Sequence, residues 1–367
     1  MAVLTKNARK HARGAAAAIL ALALLAFVVA WTGVYNVAAS RGHWAIVEWA
    51  LSFGMRNSVE TRALPINTPP LDNENMVRLG AAHFDHGCAP CHGAPGKSPN
   101  PIAQSALPAA PDLSGSSRRW KDRELFWIVK HGIKYTGMPA WVSQNRDDEV
   151  WAVVAFLKAL PRLDEREYAL FTRGTDQDAP RRSNVEWLAQ WRCAGCHGAA
   201  DIRPASNLVP VLHGQPVAFL ESALRAYAHG TRESGIMQPI ANDLTSNEIT
   251  SLAAYYAGLR LPATTAAPAP ETERGRKLAL EGAPEAGVPP CISCHRADSL
   301  AVYPRLAGQN AAYLAGQLRL WKNGFTPASG TAAIMAPIAR RLTDRQIDDV
   351  SSYFAGLAVR AEARRRH

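Results

Sequence analysis

The sequence predicts an all-α protein in which one N-terminal transmembrane helix is followed by three helical domains in tandem. An uncharged, apolar run extends from Ala15 to Val37, and a motif of two cysteines and a histidine occurs three times further along the chain. No stretch alternates apolar and polar residues over a length that would build a substantial sheet. The 367 residues suit two or three domains of about 100 to 150 residues, and the repeated motif favours three.

The apolar run is long enough to cross a hydrocarbon core of about 30 Å as a helix. Four basic residues precede it: Lys6, Arg9, Lys10 and Arg13. Basic residues stay on the cytoplasmic side, so everything after Ser40 is sent outward. A signal peptide cleaved after Ala39 is the alternative, but the run exceeds the roughly 7 to 15 apolar residues of such a segment. We expect a retained anchor in a bacterial inner membrane, with the rest of the chain in the periplasm.

An aromatic segment follows the anchor. Its apolar members are Trp44, Ile46, Val47, Trp49, Ala50, Leu51 and Phe53. Glu48 interrupts the segment, and it is too short to span a membrane. Two interpretations remain open at this point: the segment lies at the membrane interface, where tryptophan is favoured, or it packs against the first domain.

Composition excludes some classes of function. The chain is 47% hydrophobic and 20% charged, as in ordinary globular proteins, and its formal net charge is +10. Part of that charge sits at the two ends, in the four residues before the anchor and in Arg360, Arg364, Arg365 and Arg366. No stretch interleaves arginines with aromatic residues as nucleic-acid-binding surfaces do. We therefore expect no nucleic acid as a partner.

The second half of the chain contains a duplication. His197 recurs 98 residues later as His295, and the same offset relates IMQPIANDLT around Met237 to IMAPIARRLT around Met335. Duplicated units share a fold, and each half shows the apolar spacing of helices. The predicted helices are Ala218–Ala228, Asn247–Leu259, Ala312–Trp321 and Asp344–Leu357, with Thr245 and Thr343 as N-caps.

The first unit is a more distant relative of these two repeats, with helices predicted at Asn73–His86 and Arg146–Leu160. We predict a cytoplasmic tail and anchor over 1–40, an interfacial segment and linker over 41–70, and domains over 71–165, 166–262 and 263–367. Polar or proline-rich linkers are predicted at Leu64–Leu71, Pro161–Asn184 and Leu261–Thr272.

The three motifs use all six cysteines: Cys88, Cys91 and His92; Cys193, Cys196 and His197; Cys291, Cys294 and His295. Two thiols spaced in this way, followed at once by an imidazole, are typical of covalent haem c attachment. A zinc site needs four ligands, and no further cysteine exists to complete one. The sequence therefore predicts three covalently bound haems, with the histidines as iron ligands.

A methionine follows each histidine in a predicted loop before the last helix of its unit: Met138, Met237 and Met335. Each lies one or two residues before a proline (Pro139, Pro239 and Pro337), and we expect all three to be the second axial iron ligands, although core packing is the usual role of methionine. Histidine–methionine ligation suits electron transfer because it leaves no iron position for a substrate. The histidines need carbonyl partners for their other ring nitrogen, and the sequence offers Pro210 and Pro304.

Each unit resembles a class I cytochrome c domain, with CxxCH after a first helix, a late methionine loop and an aromatic last helix. The last two units are similar to bacterial tandem di-haem cytochromes through GQ, IMxPIAxxLT and a YFAGL-like ending. The first, with ELFWIVKHGIKYTGMPAW, resembles mono-haem domains of dehydrogenase-linked and oxidase-linked cytochromes.

The resemblance implies an all-α fold of three class I domains and a relay of single electrons. A quinol oxidoreductase or a periplasmic dehydrogenase would be the donor, and a terminal oxidase the acceptor. The alternative is a cytochrome subunit of a membrane-bound dehydrogenase or oxidase complex, although the N-terminal anchor differs from the pattern of tri-haem dehydrogenase subunits. A haem enzyme would require one iron without a sixth protein ligand, so we predict a carrier without catalytic residues.

Overall fold

The computed structural model describes residues 6–113, 119–172, 185–260, 273–296, 298–325 and 332–357. In these ranges the regular structure is helical, with two isolated β-bridges and no strand. The all-α prediction is therefore confirmed for the described chain. The predicted linker Leu261–Thr272 and the basic residues after Arg360 lie outside the described residues.

Helix α1 (Lys6–Thr32) contains the apolar run. Its segment Lys10–Thr32 is long and apolar enough to cross a membrane, with a mean hydropathy of 2.4, and none of it is buried in the protein. A membrane anchor and a signal sequence both meet this criterion. The helix ends before Val37 because Gly33 adopts a left-handed conformation, with φ of +64°.

Helix α2 (Ala45–Ala63) contains most of the aromatic segment, and its two halves differ in whether they pack against the first unit. Val59 and Ala63, near its end, are buried, and the helix contacts the first unit. Trp49 and Phe53, in its first half, stack on each other at 5.5 Å and stay more than half exposed. Packing against the first unit therefore accounts for only the second half of this segment.

The first unit is built on α3 (Glu74–Gly87) and α7 (Asp147–Ala159), and the helices between them are α4 (Ala89–His92), α5 (Pro101–Gln104) and α6 (Asp122–His131). The two main helices pack closely because Gly80 has no Cβ, which would lie 2.1 Å from the carbonyl oxygen of Ala152. Phe84 and Phe156 fill the core beside this contact, with ring centroids 5.1 Å apart. Both helices predicted for this unit are confirmed.

The predicted linker Pro161–Asn184 is wrong in its first part. Residues Glu165–Thr172 form helix α8, which packs on α3, and the buried Tyr168 hydroxyl donates to Asp85 at 2.6 Å. The sequence carries a start signal for this helix, because Asp164 and Glu167 cap each other's backbone N–H. Residues 166–172 thus pack on the first unit, and 173–184 lie outside the described residues.

The two repeats have parallel helix orders. The second comprises α9 (Val185–Arg192), α10 (Ala194–His197), α11 (Val217–Ala228), α12 (Met237–Asn242) and α13 (Ser246–Gly258). The third comprises α14 (Glu273–Glu281), α15 (Ile292–His295), α16 (Ala311–Lys322), α17 (Ala332–Arg341) and α18 (Asp344–Gly356). The predicted caps Thr245 and Thr343 each complete a capping box, with Glu248 and Gln346. The four helices predicted in the repeats are confirmed.

Candidate haem sites

Each cysteine–histidine motif folds into a single helical turn. The first cysteine is at the start of the turn, and its carbonyl accepts from the N–H of the histidine four residues on, at 3.0 Å for His92, 2.9 Å for His197 and 3.1 Å for His295. One turn of helix therefore brings both thiols and the imidazole to the same place. Helices α3 and α9 run directly into the first two turns, which positions them against the core of their units.

The three histidines are oriented in the same way. Nδ1 of His92, His197 and His295 lies 2.8, 3.2 and 2.9 Å from the carbonyl oxygens of Pro111, Pro210 and Pro304, respectively. A carbonyl only accepts, so Nδ1 carries the proton and Nε2 keeps its lone pair for a metal. The predicted partners Pro210 and Pro304 are confirmed. Pro111 was missed because no Gly-Gln pair follows it.

Burial keeps two of these imidazoles, those of His197 and His295, in the form that binds iron. It lowers the pKa of His197 to about 4, against a smaller opposing effect of the hydrogen bond to Pro210. It also lowers the pKa of His295 from its ordinary value. A neutral imidazole with a free Nε2 at pH 7 is the species that ligates a metal.

The six cysteines are free thiols, and most are partly buried. Burial raises the pKa of Cys88 and Cys193 to about 12 and that of Cys291 to about 11. The environment of these sulfurs therefore suits uncharged thioethers, which is what haem attachment produces. Among the described residues no group of three or more His, Cys, Asp or Glu side chains could hold a bare metal ion. The donor set fits covalent haem c.

The three methionines are half-buried and lie outside the cysteine–histidine turns. Met138 packs against the same core cluster as Cys88. Met237 is the first residue of α12, where its N–H donates to Ser234 Oγ at 3.0 Å. Met335 lies inside α17, two residues before Pro337. The prediction of a loop is therefore wrong for Met237 and Met335, because each belongs to a short helix ahead of the last one. Each is therefore placed within its own unit, and its role as an iron ligand remains a prediction.

A polar junction joins the first unit to the second repeat. The buried Glu149 carboxylate accepts from Ser234 Oγ at 2.6 Å and from the Gly235 N–H at 2.7 Å. Arg146 forms an ion pair with Glu149 at 3.0 Å, and Trp141 donates to the same carboxylate at 3.3 Å. The loop that carries Met138 and the segment that leads into Met237 both enter this junction. No periodicity in the sequence indicates it.

A second junction joins the two repeats and is nearly symmetric. Gln215 exchanges two hydrogen bonds with the backbone of Arg305, both at 2.9 Å. Gln309, its counterpart, exchanges two with the backbone of Val211, at 2.7 and 3.0 Å. Val211 and Arg305 directly follow the prolines that hold His197 and His295. The junction therefore fixes both histidine partners against each other.

Comparison with known proteins identifies the class. Residues 75–157 match the family described as cytochrome c oxidase, cbb3-type, subunit III. The thiosulfate dehydrogenase electron acceptor of Thiomonas intermedia is 36% identical over 169 residues, which cover 44% of this chain and 77% of that protein. Cytochrome c4 of Pseudomonas aeruginosa is 31% identical, over 45% of this chain and 83% of that protein. A solved cytochrome c4 from Acidithiobacillus ferrooxidans is 31% identical, with a TM-score of 0.42, and the match covers 45% of this chain and 98% of that chain.

The chain belongs to the class I c-type cytochromes. It is a multi-haem electron-transfer cytochrome, and its cofactor is covalently bound haem c. Its function is to carry electrons rather than to catalyse a reaction.

Proposed function

We propose that this chain is a membrane-anchored tri-haem relay on the periplasmic face of a bacterial inner membrane. One haem c is attached at each cysteine pair, and His92, His197 and His295 are its proximal ligands. Met138, Met237 and Met335 are the distal ligands. The observation that carries the proposal occurs three times in the chain. In each motif a proline carbonyl holds Nδ1 of the histidine, which leaves Nε2 for iron.

The residues of the chain have distinct tasks in this relay. When bound, haem c supplies an iron that gains or loses one electron. The proline carbonyls orient the imidazoles and increase their basicity as ligands. A methionine in the sixth position raises the reduction potential and leaves no position open to a substrate. Burial of His197 and His295 limits the reorganisation of water at the second and third sites when the charge changes.

In this relay the chain is divided into three domains, over 71–165, 166–262 and 263–367, and the packing of α8 on the first unit favours moving the first boundary to a position after Thr172. Each has its own core cluster, around Phe84 and Phe156, around Leu252 and Tyr256, and around Ile347 and Phe354. Domains with separate cores and one cofactor each suit stepwise passage of electrons along a chain.

The anchor places the relay beside membrane-bound partners. Helix α1 is apolar and unburied over the length of a membrane span. The exposed Trp49 and Phe53 in the first half of α2 suit the interfacial region that follows such a span. In this arrangement a quinol oxidoreductase or a periplasmic dehydrogenase gives electrons to the relay, and a terminal oxidase accepts them.

A second candidate is a cytochrome subunit of a dehydrogenase complex. Two relatives, from Thiomonas intermedia and Stutzerimonas stutzeri, are named thiosulfate dehydrogenase electron acceptors, which favours a dehydrogenase as the donor. A permanent subunit buries a large apolar interface and co-purifies with its partner, whereas a carrier binds briefly through a small patch. Purification from solubilised native membranes therefore separates the two candidates.

Haem content and spectra of the full-length chain in the membrane fraction test the proposal. We expect three covalent haems per polypeptide, by haem assay and by the mass of the denatured chain, and low-spin spectra with a far-red histidine–methionine band. Replacing Met237 or Met335 by alanine should convert one haem to a high-spin or differently ligated form and leave attachment intact. Unchanged low-spin spectra in both variants would refute the ligand assignment, and a high-spin centre in the unaltered protein would refute the pure relay.

A further inference from the structure

The two repeats differ sharply in the exposure of one isoleucine. Ile236 and Ile334 occupy the same place in IMQPIANDLT and IMAPIARRLT, directly before the methionine. Ile236 is 9% exposed and Ile334 is 51% exposed. Ala241 and Ala339, five residues further on, are both fully buried. The helix therefore sits on its own repeat in the same way in both cases, and the difference arises outside the repeat.

The first unit is what covers Ile236. This side chain belongs to the core cluster of the first unit, beside Trp141. Hydrogen bonds surround the apolar contact: Ser234 and Gly235 donate to Glu149, and Ser143 donates to Glu233 at 3.1 Å. A class I cytochrome c domain thus covers the surface of the second repeat around Ile236, directly before Met237. This contact has an apolar centre and a polar rim.

The third repeat lacks counterparts of the two residues that donate hydrogen bonds to Glu149 of the first unit. Ala332 and Ala333 stand where the second repeat has Ser234 and Gly235. Ile334 and Pro337 of α17 are exposed, and we call the surface around them the Ile334 face. The exposed Arg340 and Arg341 stand where the second repeat has Asn242 and Asp243, so the charge beside this face is positive.

We propose that the Ile334 face is the docking site for a class I cytochrome c domain of a separate, acidic redox protein. Such a domain already covers the equivalent face of the second repeat, and it brings the Glu149 carboxylate to that contact. Arg340 and Arg341 favour a partner with acidic groups around an apolar centre. A small patch of this kind suits the brief contacts of electron transfer. The proposal deepens the relay function and rests on it, because it assigns the outer end of the relay to the third repeat.

Stopped-flow electron exchange tests the docking site. The reduced full-length protein in detergent is mixed with an oxidised, acidic, soluble mono-haem class I cytochrome c at low ionic strength. The variant Ile334→Glu removes the apolar contact and repels the probe, so the second-order rate constant should fall at least about tenfold. Ile334→Ala should lower it less. The matched control is Ile202→Glu, since Ile202 is 59% exposed in the second repeat, and its rate should stay within about twofold of the unaltered protein.

The outcomes separate the two proposals. Equal rate constants for Ile334→Glu and Ile202→Glu would overturn the docking site. The docking site would also be overturned if the unaltered protein exchanged electrons with small reductants and oxidants but not with the cytochrome probe. If the haem irons of the unaltered protein remain high-spin, or cannot be reversibly reduced and oxidised, the relay function itself is overturned. Haem content and unfolding midpoints must match among the variants. A dimer by sedimentation that Ile334→Glu converts to monomer would show that a second copy covers the face, which also overturns the proposal.

Discussion

The second and third repeats are copies of one unit that meet different neighbours. Both retain a histidine held by a proline carbonyl, a glutamine that binds the backbone of the other repeat, and a threonine cap on the last helix. They differ in the residues just before the methionine, where the second repeat meets the first unit. The comparison teaches that duplication preserved what each haem site requires and changed the surface on which another domain rests.

The contacts made by the changed segment are of a different physical kind from the preserved ones. Segment 232–235 of the second repeat touches both neighbours: Arg232 lies 3.3 Å from Gln317 of the third repeat, and Ser234 and Gly235 hold Glu149 of the first unit. Glu149 is a buried charge, whereas the glutamine exchange between the repeats involves neutral amides. Buried charges are costly to leave without a partner.

The substitution Arg146→Ala is expected to destabilise the junction between the first unit and the second repeat more than any other change. It leaves the Glu149 carboxylate, 3% exposed, without the ion pair at 3.0 Å. Removing one partner of a buried pair costs about 3 to 5 kcal/mol. Hydrogen exchange should show the loss in the Gly235 and Met237 amides, with the third repeat unaffected. The control is Arg276→Ala, which breaks an exposed pair with Glu273 and should cost less than about 1 kcal/mol. Equal effects of the two substitutions would contradict the importance of the junction.

Gly235→Ala tests the same junction by size instead of charge. An added Cβ would lie 2.0 Å from Trp141 Nε1. Overpacking of this kind should destabilise the junction by about 2 to 3 kcal/mol, visible as faster exchange of the same amides. Ala333→Gly, the reverse change in the third repeat, should cost about 1 kcal/mol through helix propensity and leave the junction intact. If Gly235→Ala left amide exchange at the junction unchanged, the first unit would not pack against this segment.

The features that sequence could predict are local ones. Thr245 and Glu248, or Asp164 and Glu167, lie three residues apart, and a cysteine–histidine turn spans five residues. The prolines that hold the histidines were found in the two repeats, where duplication marks the position, and missed at Pro111, where it does not. Contacts such as Glu149 with Gly235 join residues far apart in the chain and follow no period, so only the packed structure reveals them.

Helix α8 shows a different limit. Its start signal was in the sequence, but the surrounding polar residues favoured a linker. The helix is stabilised by Tyr168, which is buried against the first unit and bonded to Asp85. A short helix of this kind depends on tertiary packing more than on its own propensity, and packing is not visible in a local window of sequence.

The symmetry of the second junction is tested by paired substitutions. Gln215→Ala removes the hydrogen bonds to the N–H and the carbonyl of Arg305. Gln309→Ala removes those to the N–H and the carbonyl of Val211, together with one from the neighbouring Asn310 N–H. Each should lower the unfolding free energy by about 1 to 2 kcal/mol. We expect similar values for the two and non-additivity in the double variant, because the sites share one interface. Chemical unfolding monitored at the haem band measures both. A cost confined to one glutamine would show that the repeats do not meet symmetrically.

The smallest expected effect concerns the caps of the last helices, where the repeats differ by one titratable group. Hydrogen bonds from the Thr245 N–H and hydroxyl lower the pKa of Glu248 from its ordinary value of 4.5. Gln346, its counterpart, does not titrate. A lowered folded-state pKa means that the ionised form is favoured in the folded state. The stabilisation is therefore complete above the ordinary pKa and is lost as the pH falls through the lowered value.

Amide exchange at the start of α13 and α18 measures this difference as a function of pH. The cap of α13 should weaken in acid by less than about 1 kcal/mol, since the group is exposed, while the cap of α18 should show no such dependence. Glu248→Gln should abolish the dependence in the second repeat, and Gln346→Glu should create it in the third. If both caps respond to acid equally in the unaltered protein, the carboxylate is not the cause. The response would then belong to the shared threonine cap or to the haem sites that both repeats retain.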